Sequence, residues 1–167
     1  MLRQLNTACD NAEQLEEAVT QAFEEHPDAP IIRSFPGLAS LTGARILAEI
    51  GDDRTRFANA GSLKAYAGSA PVTRSSGKSC MVMSRKIKNQ RLAAVGYVWA
   101  FVSLTRSPGA RAHYDRRRGV GDRHVAAQRN LFNRFMGMLF YCLQNGHIYD
   151  EAIAFPQPSP ELAAAAA

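Results

Sequence analysis

Apolar residues recur through the first 26 positions at alternating spacings of four and three: Met1, Leu5, Ala8, Ala12, Leu15, Val19 and Ala22. This is the a/d seam of a helix, with Glu13, Glu16, Glu17, Glu24 and Glu25 mostly off it. His26-Pro27 should end it, because proline disfavours helical backbone in the residue before it. The seam is short and rich in alanine, so residues 1–26 are expected to pack on something. Two arrangements fit: an amphipathic helix on its own domain, or a coiled-coil arm that pairs protomers or joins an upstream domain.

The pattern over 30–150 predicts mostly helices. One covers 44–50 after a turn and a short one covers 62–67. A long one over 89–105 is apolar on most faces and should be central. Ser107-Pro108 is an N-cap and first-turn pair for a helix to about Arg118. Gly119-Val-Gly-Asp122 breaks the chain, and Asp122 is expected to cap a last helix from about Arg123 to Asn145, closed by Gly146. The apolar face of that helix is predicted as Val125, Leu131, Phe132, Phe135, Met138, Leu139 and Cys142. Residues 71–85 have no helical period and read as an irregular loop or a short hairpin. Residues 155–167, proline-rich and then poly-alanine, read as a disordered tail. The expected fold class is all-α, mainly helical.

Composition adds little, but the distribution of charge adds much. Hydrophobic residues are 46% and charged residues 21% of the 167, the balance of a folded domain. No apolar run is long enough for a membrane helix, and the start lacks the pattern of a signal peptide. Cys9, Cys80 and Cys142 lie far apart, which argues against a disulfide framework and fits a reducing cytoplasm. The net charge is only +5, yet residues 1–30 carry one basic residue and seven acids, whereas 31–147 carry 19 basic residues and five acids. From Arg54 to Tyr114 there are eleven Lys or Arg and no acid. A body this one-sided points to a polyanion, most often nucleic acid.

Four segments carry candidate chemistry. Ser34-Phe-Pro-Gly-Leu through Thr42-Gly-Ala-Arg45 has the outline of a helix-hairpin-helix. Gly37 and Gly43 would be its turn glycines, with Thr42 and Arg45 near a phosphate at a helix N-terminus. Arg74-Ser-Ser-Gly-Lys78 places two serines between cations. A serine nucleophile needs a base or metal to take its proton and positive charge to steady an anionic phosphate. Arg74 and Lys78 meet only the second need, so a phosphate-contacting loop, a plain loop and a nucleophile site all stay open. The segment is not a Walker A loop, since Val72 stands where the first glycine belongs. Arg85, Lys86, Lys88 and Arg91 open a helix and suit phosphate contacts, as do Arg116, Arg117 and Arg118 at a helix C-terminus. No metal site is expected: His113 and His124 lack a second ligand at i+3 or i+4, and Glu49-Ile-Gly-Asp-Asp53 is the only acidic cluster of the body.

In their order and spacing these segments resemble the C-terminal transposase domain of DEDD-type insertion-sequence transposases, the one-ten and one-sixteen group, which also holds the pilin-gene invertase. The resemblance covers about residues 30–150. It is carried by Phe35-Pro-Gly-Leu38, Gly43-Ala-Arg-Ile-Leu-Ala-Glu-Ile-Gly-Asp52, Arg56-Phe57 and Leu63-Lys-Ala-Tyr-Ala-Gly68. It continues through Ala70-Pro71, Ser76-Gly-Lys78, Asn89, Arg91-Leu92, Ala110-Arg-Ala-His-Tyr114, Gly146 and Tyr149-Asp150. One departure is Ala93, where many members have arginine.

The resemblance implies a larger enzyme, in which an N-terminal RuvC-like domain holds Mg²⁺ on four acids and a coiled coil precedes this domain. It also implies a serine nucleophile from this domain and a composite site shared between protomers. The partners implied are DNA and a structured guide RNA. Residues 1–26 would be the end of the coiled coil and a route to homo-oligomers. The serine carries over as Ser76, immediately before glycine, with Ser75 second. The expectation is a nucleoid-associated cytoplasmic DNA recombinase fragment with no cofactor of its own. The competing expectation is a non-catalytic helix-hairpin-helix module.

Overall fold

The computed structural model describes residues 1–77 and 79–156. Among them run eight helices and one two-stranded antiparallel sheet, in the order α1 (Leu2–Glu24), α2 (Ala29–Arg33), α3 (Ser40–Ile50), α4 (Ala60–Tyr66), β1 (Val72–Ser76), β2 (Ser79–Met83), α5 (Gln90–Ser103), α6 (Pro108–Gly119), α7 (His124–Asn145) and α8 (Glu151–Ala154). The mainly helical class is as expected. No described helix is long and apolar enough to cross a membrane.

The core forms between α5 and α7, as the apolar pattern of 89–105 requires. Trp99 is fully buried, stacked on Phe135 at 4.9 Å, edge-on to Phe35 at 5.5 Å and to Phe132 at 6.3 Å. Gly96 brings the two helices together: a Cβ there would stand 2.1 Å from Phe132 Cζ. α7 also packs on α4 and α6, α3 packs on α5, and α1 reaches α3. Only the last turn of α1 is held, through Phe23, while Leu2, Leu5, Leu15 and Val19 stay exposed. The arm therefore leaves the body with its seam uncovered.

Capping behaves as the local chemistry dictates. Ser107 Oγ accepts from the Ala110 N–H at 2.9 Å, and Gly146 closes α7 in the left-handed conformation. Asp122 does not cap α7; its carboxylate pairs with Arg117 at 2.5 Å, and Arg123 takes the N-cap position without a side-chain bond. An arginine within reach offers a charged partner, and that contact wins over a neutral backbone donor. Val125 is 58% exposed and leaves the predicted α7 face. Phe155, assigned to the tail from sequence, is buried against Phe135 and His113, so the body extends to it. The remainder of the predicted tail, from 157, lies outside the described residues.

Candidate functional site

The segment after α4 forms the hairpin form of the two expected alternatives. β1 and β2 pair in the register Val72↔Met83, Thr73↔Val82, Arg74↔Met81, Ser75↔Cys80 and Ser76↔Ser79. Gly77 follows at φ +55°, the left-handed region that the first position of a two-residue hairpin turn demands and that glycine adopts without a Cβ clash. Both strands are exposed over most of their length. A two-stranded ribbon without cover is marginal alone, so its base must be fixed elsewhere.

It is fixed by a polar network that the sequence did not reveal. The Asn89 amide N–H donates to Tyr66 O at 2.8 Å, and Asn89 Nδ2 donates to Glu49 Oε2 and Tyr66 Oη, both at 2.6 Å. Asn89 Oδ1 accepts from the Leu92 N–H and caps α5. Arg56 donates to the Ile50 carbonyl at 2.6 Å and to Tyr66 Oη at 3.1 Å. The stem of Lys88 lies on Gly68, where a Cβ would meet Lys88 Cδ at 2.2 Å. The ends of α3, α4 and α5 thus hold both strands at the root. The only sequence signal was the helix-capping form of Asn89 before an apolar run.

Strand alternation then separates the two serines. Val72, Arg74 and Ser76 share one face with Met83, Met81 and Ser79, while Thr73 and Ser75 share the other with Val82 and Cys80. The first face continues into an open groove of about 750 Å³ lined by Val72, Arg74, Met83, Ser84, Arg85, Lys86 and Ile87. Ser76 therefore stands on the face of Arg74 and the cationic groove, and Ser75 does not. No imidazole or carboxylate lies in the hairpin register to take a serine proton. Lys78 lies outside the described residues.

A second groove of about 390 Å³ runs between α3 and α5. It gathers Thr42, Arg45 and Arg91 over an apolar floor of Ala48, Ala94, Val95 and Val98, with Glu49 at its edge. Arg91 stays largely exposed and only 3.8 Å from Glu49. Thr42 Oγ accepts from the Ala39 N–H at 2.9 Å, so its hydroxyl serves the start of α3.

The turn 34–39 does not match the predicted hairpin in detail. Gly37, at φ +85°, packs on the end of α5, where a Cβ would meet the Ser103 nitrogen at 2.9 Å. Gly43 is no turn glycine: it lies inside α3, and a Cβ would stand 2.8 Å from the Phe23 ring. Its missing side chain admits the root of α1. The predicted phosphate position at the start of α3 holds a carboxylate, since Glu24 accepts from Ser40 Oγ and pairs with Arg33 at 2.5 Å. The Ser40 bond, helped by Arg33, holds the Glu24 carboxyl below its ordinary pKa.

At the end of α6 the three arginines differ. Arg117 pairs with Asp122, and Arg118 donates to the Asp122 carbonyl at 2.7 Å. Arg116 is exposed and reaches His113 Nδ1 at 3.3 Å, while His113 Nε2 faces Asn130 Oδ1 at 3.0 Å. A guanidinium cannot accept and an amide oxygen cannot donate, so His113 is the neutral tautomer with its proton on Nε2. Burial, and then the charges of Arg134, Arg116 and Arg117, lower its pKa below 6.5, against the opposing bond to Asn130. The unfolded chain therefore binds that proton more readily, and stability falls as pH drops below about 6.5. His113→Gln is expected to flatten this acid limb, measured as urea midpoints between about pH 7 and pH 5.

Among the described residues no three His, Cys, Asp or Glu side chains cluster as metal ligands. The Mg²⁺ that the resemblance implies thus finds no donor set in these residues.

The fold and site define a helical body with cation-lined grooves, an uncovered acidic arm and a projecting serine hairpin. A sequence model described as the transposase IS116/IS110/IS902 family matches residues 29–115, and the chain belongs to that family. It is 56% identical over 166 residues to a mini-circle protein of IS117 from Streptomyces coelicolor, named for a transposase, covering 99% of this chain and 39% of that protein. It is 36% identical over 135 residues to the 42 kDa protein of insertion element IS900 from Mycobacterium paratuberculosis, covering 80% and 34%. It is 34% identical over 137 residues to the 43.6 kDa protein of insertion element IS110 from Streptomyces coelicolor, covering 81% and 34%. The chain spans about two-fifths or less of the length of these relatives.

Proposed function

We propose that the chain is the C-terminal part of an insertion-sequence transposase, a DNA recombinase whose basic body holds DNA and whose Ser76 attacks a phosphodiester. The observation that carries this reading is the shared face of Ser76, Arg74 and the groove of Arg85 and Lys86 on a rooted hairpin. In the proposed step Ser76 Oγ bonds to phosphorus, a deoxyribose oxygen leaves, and the cations steady the charge on the phosphate. The base that takes the serine proton, and the carboxylates that hold Mg²⁺, belong to a separate RuvC-like domain. The same basic surface is proposed to meet a structured guide RNA, and the uncovered seam of α1 to pair protomers. The site of action is then the nucleoid in the cytoplasm.

Salt dependence tests the polyanion part. If about six cations, among them Arg45, Arg74, Arg85, Lys86, Arg91 and Arg116, neutralise phosphates, log affinity should fall against log salt with a slope near −5. Affinity of the 167-residue chain for duplex DNA is then expected to drop about 10³-fold between about 50 and 200 mM salt. Arg45→Ala should reduce the slope by about one. Weak binding with a flat slope for both duplex DNA and structured RNA would overturn the reading.

A further inference from the structure

The loop from β2 into α5 holds a side chain that the fold does not use. Ile87 is 92% exposed, more than any other large apolar residue described except Met1 at the chain start. A single exposed isoleucine needs no explanation; its surroundings ask for one. Ile87 lines the groove beneath the hairpin with Val72 and Met83, while Arg74, Arg85 and Lys86 supply the positive charge. Met81 and Val82, on the same projection, are 58% and 63% exposed. The Nε of Arg85 is shut from solvent without a hydrogen-bond partner among the described residues. The loop is also firmly rooted, by Lys88 on Gly68 and by Asn89 on Tyr66 and Glu49.

We propose that Ile87 is a wedge that enters between stacked base pairs of duplex DNA from the minor groove, with Arg85 and Lys86 on the flanking phosphates. The inference rests on the DNA reading above and deepens it: the domain deforms the duplex as it binds. Unstacking a base step costs a few kcal/mol, which burial of the apolar side chain and closer phosphate contacts offset. A wedge must be stiff, and β-branched isoleucine is restricted at χ1. It must also stand on a fixed support, which the Asn89 network provides. An apolar pocket on a protein partner fits less well, because Lys86 and Lys88 on either side would have to be desolvated there.

The test uses the 167-residue chain and a short duplex carrying 2-aminopurine at several positions and a fluorophore pair at its ends. Binding of the unaltered chain is expected to raise 2-aminopurine fluorescence several-fold and to shorten the end-to-end distance. Ile87→Ser should lose both signals while affinity changes less than several-fold and the salt slope stays the same. Ile87→Phe, another wedge-forming residue and one with a rigid ring, should keep both. Salt-dependent binding with stacked bases and a straight duplex would overturn the wedge and leave the DNA reading standing, with Ile87 then facing a protein. Unstacking that survives in Ile87→Ser would overturn it too. Absence of salt-dependent binding would overturn both proposals.

Discussion

Ser76→Ala in the full-length transposase is expected to abolish strand joining, a loss of about 10⁴-fold or more, as for removal of a covalent nucleophile elsewhere. Ser75→Ala is expected to keep joining within about tenfold, because a neighbour on the opposite face disturbs geometry without removing the attacking atom. The contrast follows from β-alternation. Ser76 lies on the face of Arg74 and the cationic groove, whereas Ser75 faces the side of Cys80 and Val82. Both serines are exposed, so neither change should unfold the hairpin. The assay is strand exchange by the full-length variants, with denaturing gels to detect the covalent protein–DNA adduct. The adduct should disappear with Ser76→Ala and persist with Ser75→Ala. Equal losses would refute the assignment by face. Unchanged exchange by Ser76→Ala would remove the catalytic role and leave the non-catalytic binding module. On the composite site proposed above, the 167-residue chain alone is expected neither to cut nor to join DNA, because the base and the Mg²⁺-holding carboxylates belong to the separate domain.

What the sequence made legible follows local rules. The Ser107-Pro108 start of α6, the Gly146 stop of α7 and the central place of α5 depend on a few adjacent residues or on one apolar run, and all appear. The helices α2 and α8 did not, because four or five residues make barely one turn and show no period. What sequence misplaced depends on long-range partners. Gly43 looks like a turn glycine until Phe23, twenty residues away, is seen against it. Asp122 looks like a cap until Arg117 offers it a charge. Val125 fits a helical face whose edge only the neighbours of α7 define. Phe155 sits beside prolines, yet an aromatic cavity at Phe135 and His113 takes it in.

The candidate site divides the same way. Its cations were legible as charge, but their grouping into two grooves was not, since Arg45 and Arg91 meet only because α3 packs on α5. That Ser75 and Ser76 stand on opposite faces of the hairpin needed the strand register. The carboxylate of Glu24 at the start of α3 could not be foreseen either. It comes from the arm, and it removes the simplest form of the phosphate contact expected near Thr42 and Arg45 at the start of α3.

Trp99→Ala is expected to be the costliest single truncation for folding, at about 3–5 kcal/mol. Trp99 has no exposed surface, and three aromatic rings from two other parts of the chain surround it: Phe35 before α3, and Phe132 and Phe135 on α7. Their spacing is set by the ring between them, and Gly96 already draws Phe132 against α5, so the cavity has little room to collapse. For a chain of this size each kcal/mol moves the melting temperature by about 2–4 °C, so the loss should be about 6–20 °C. Trp99→Phe separates packing from polarity. It keeps most of the ring stack and removes the bond from Trp99 Nε1 to the Pro36 carbonyl at 3.1 Å, at a cost of about 1–2 kcal/mol. That bond ties the 34–39 turn to the core beside Gly37. Trp99→Phe should thus loosen the turn locally, seen as faster amide exchange at residues 35–39, while α5 and α7 stay protected. Equal losses for alanine and phenylalanine would show that the bond to Pro36, and not the aromatic stack, holds the two halves of the body together.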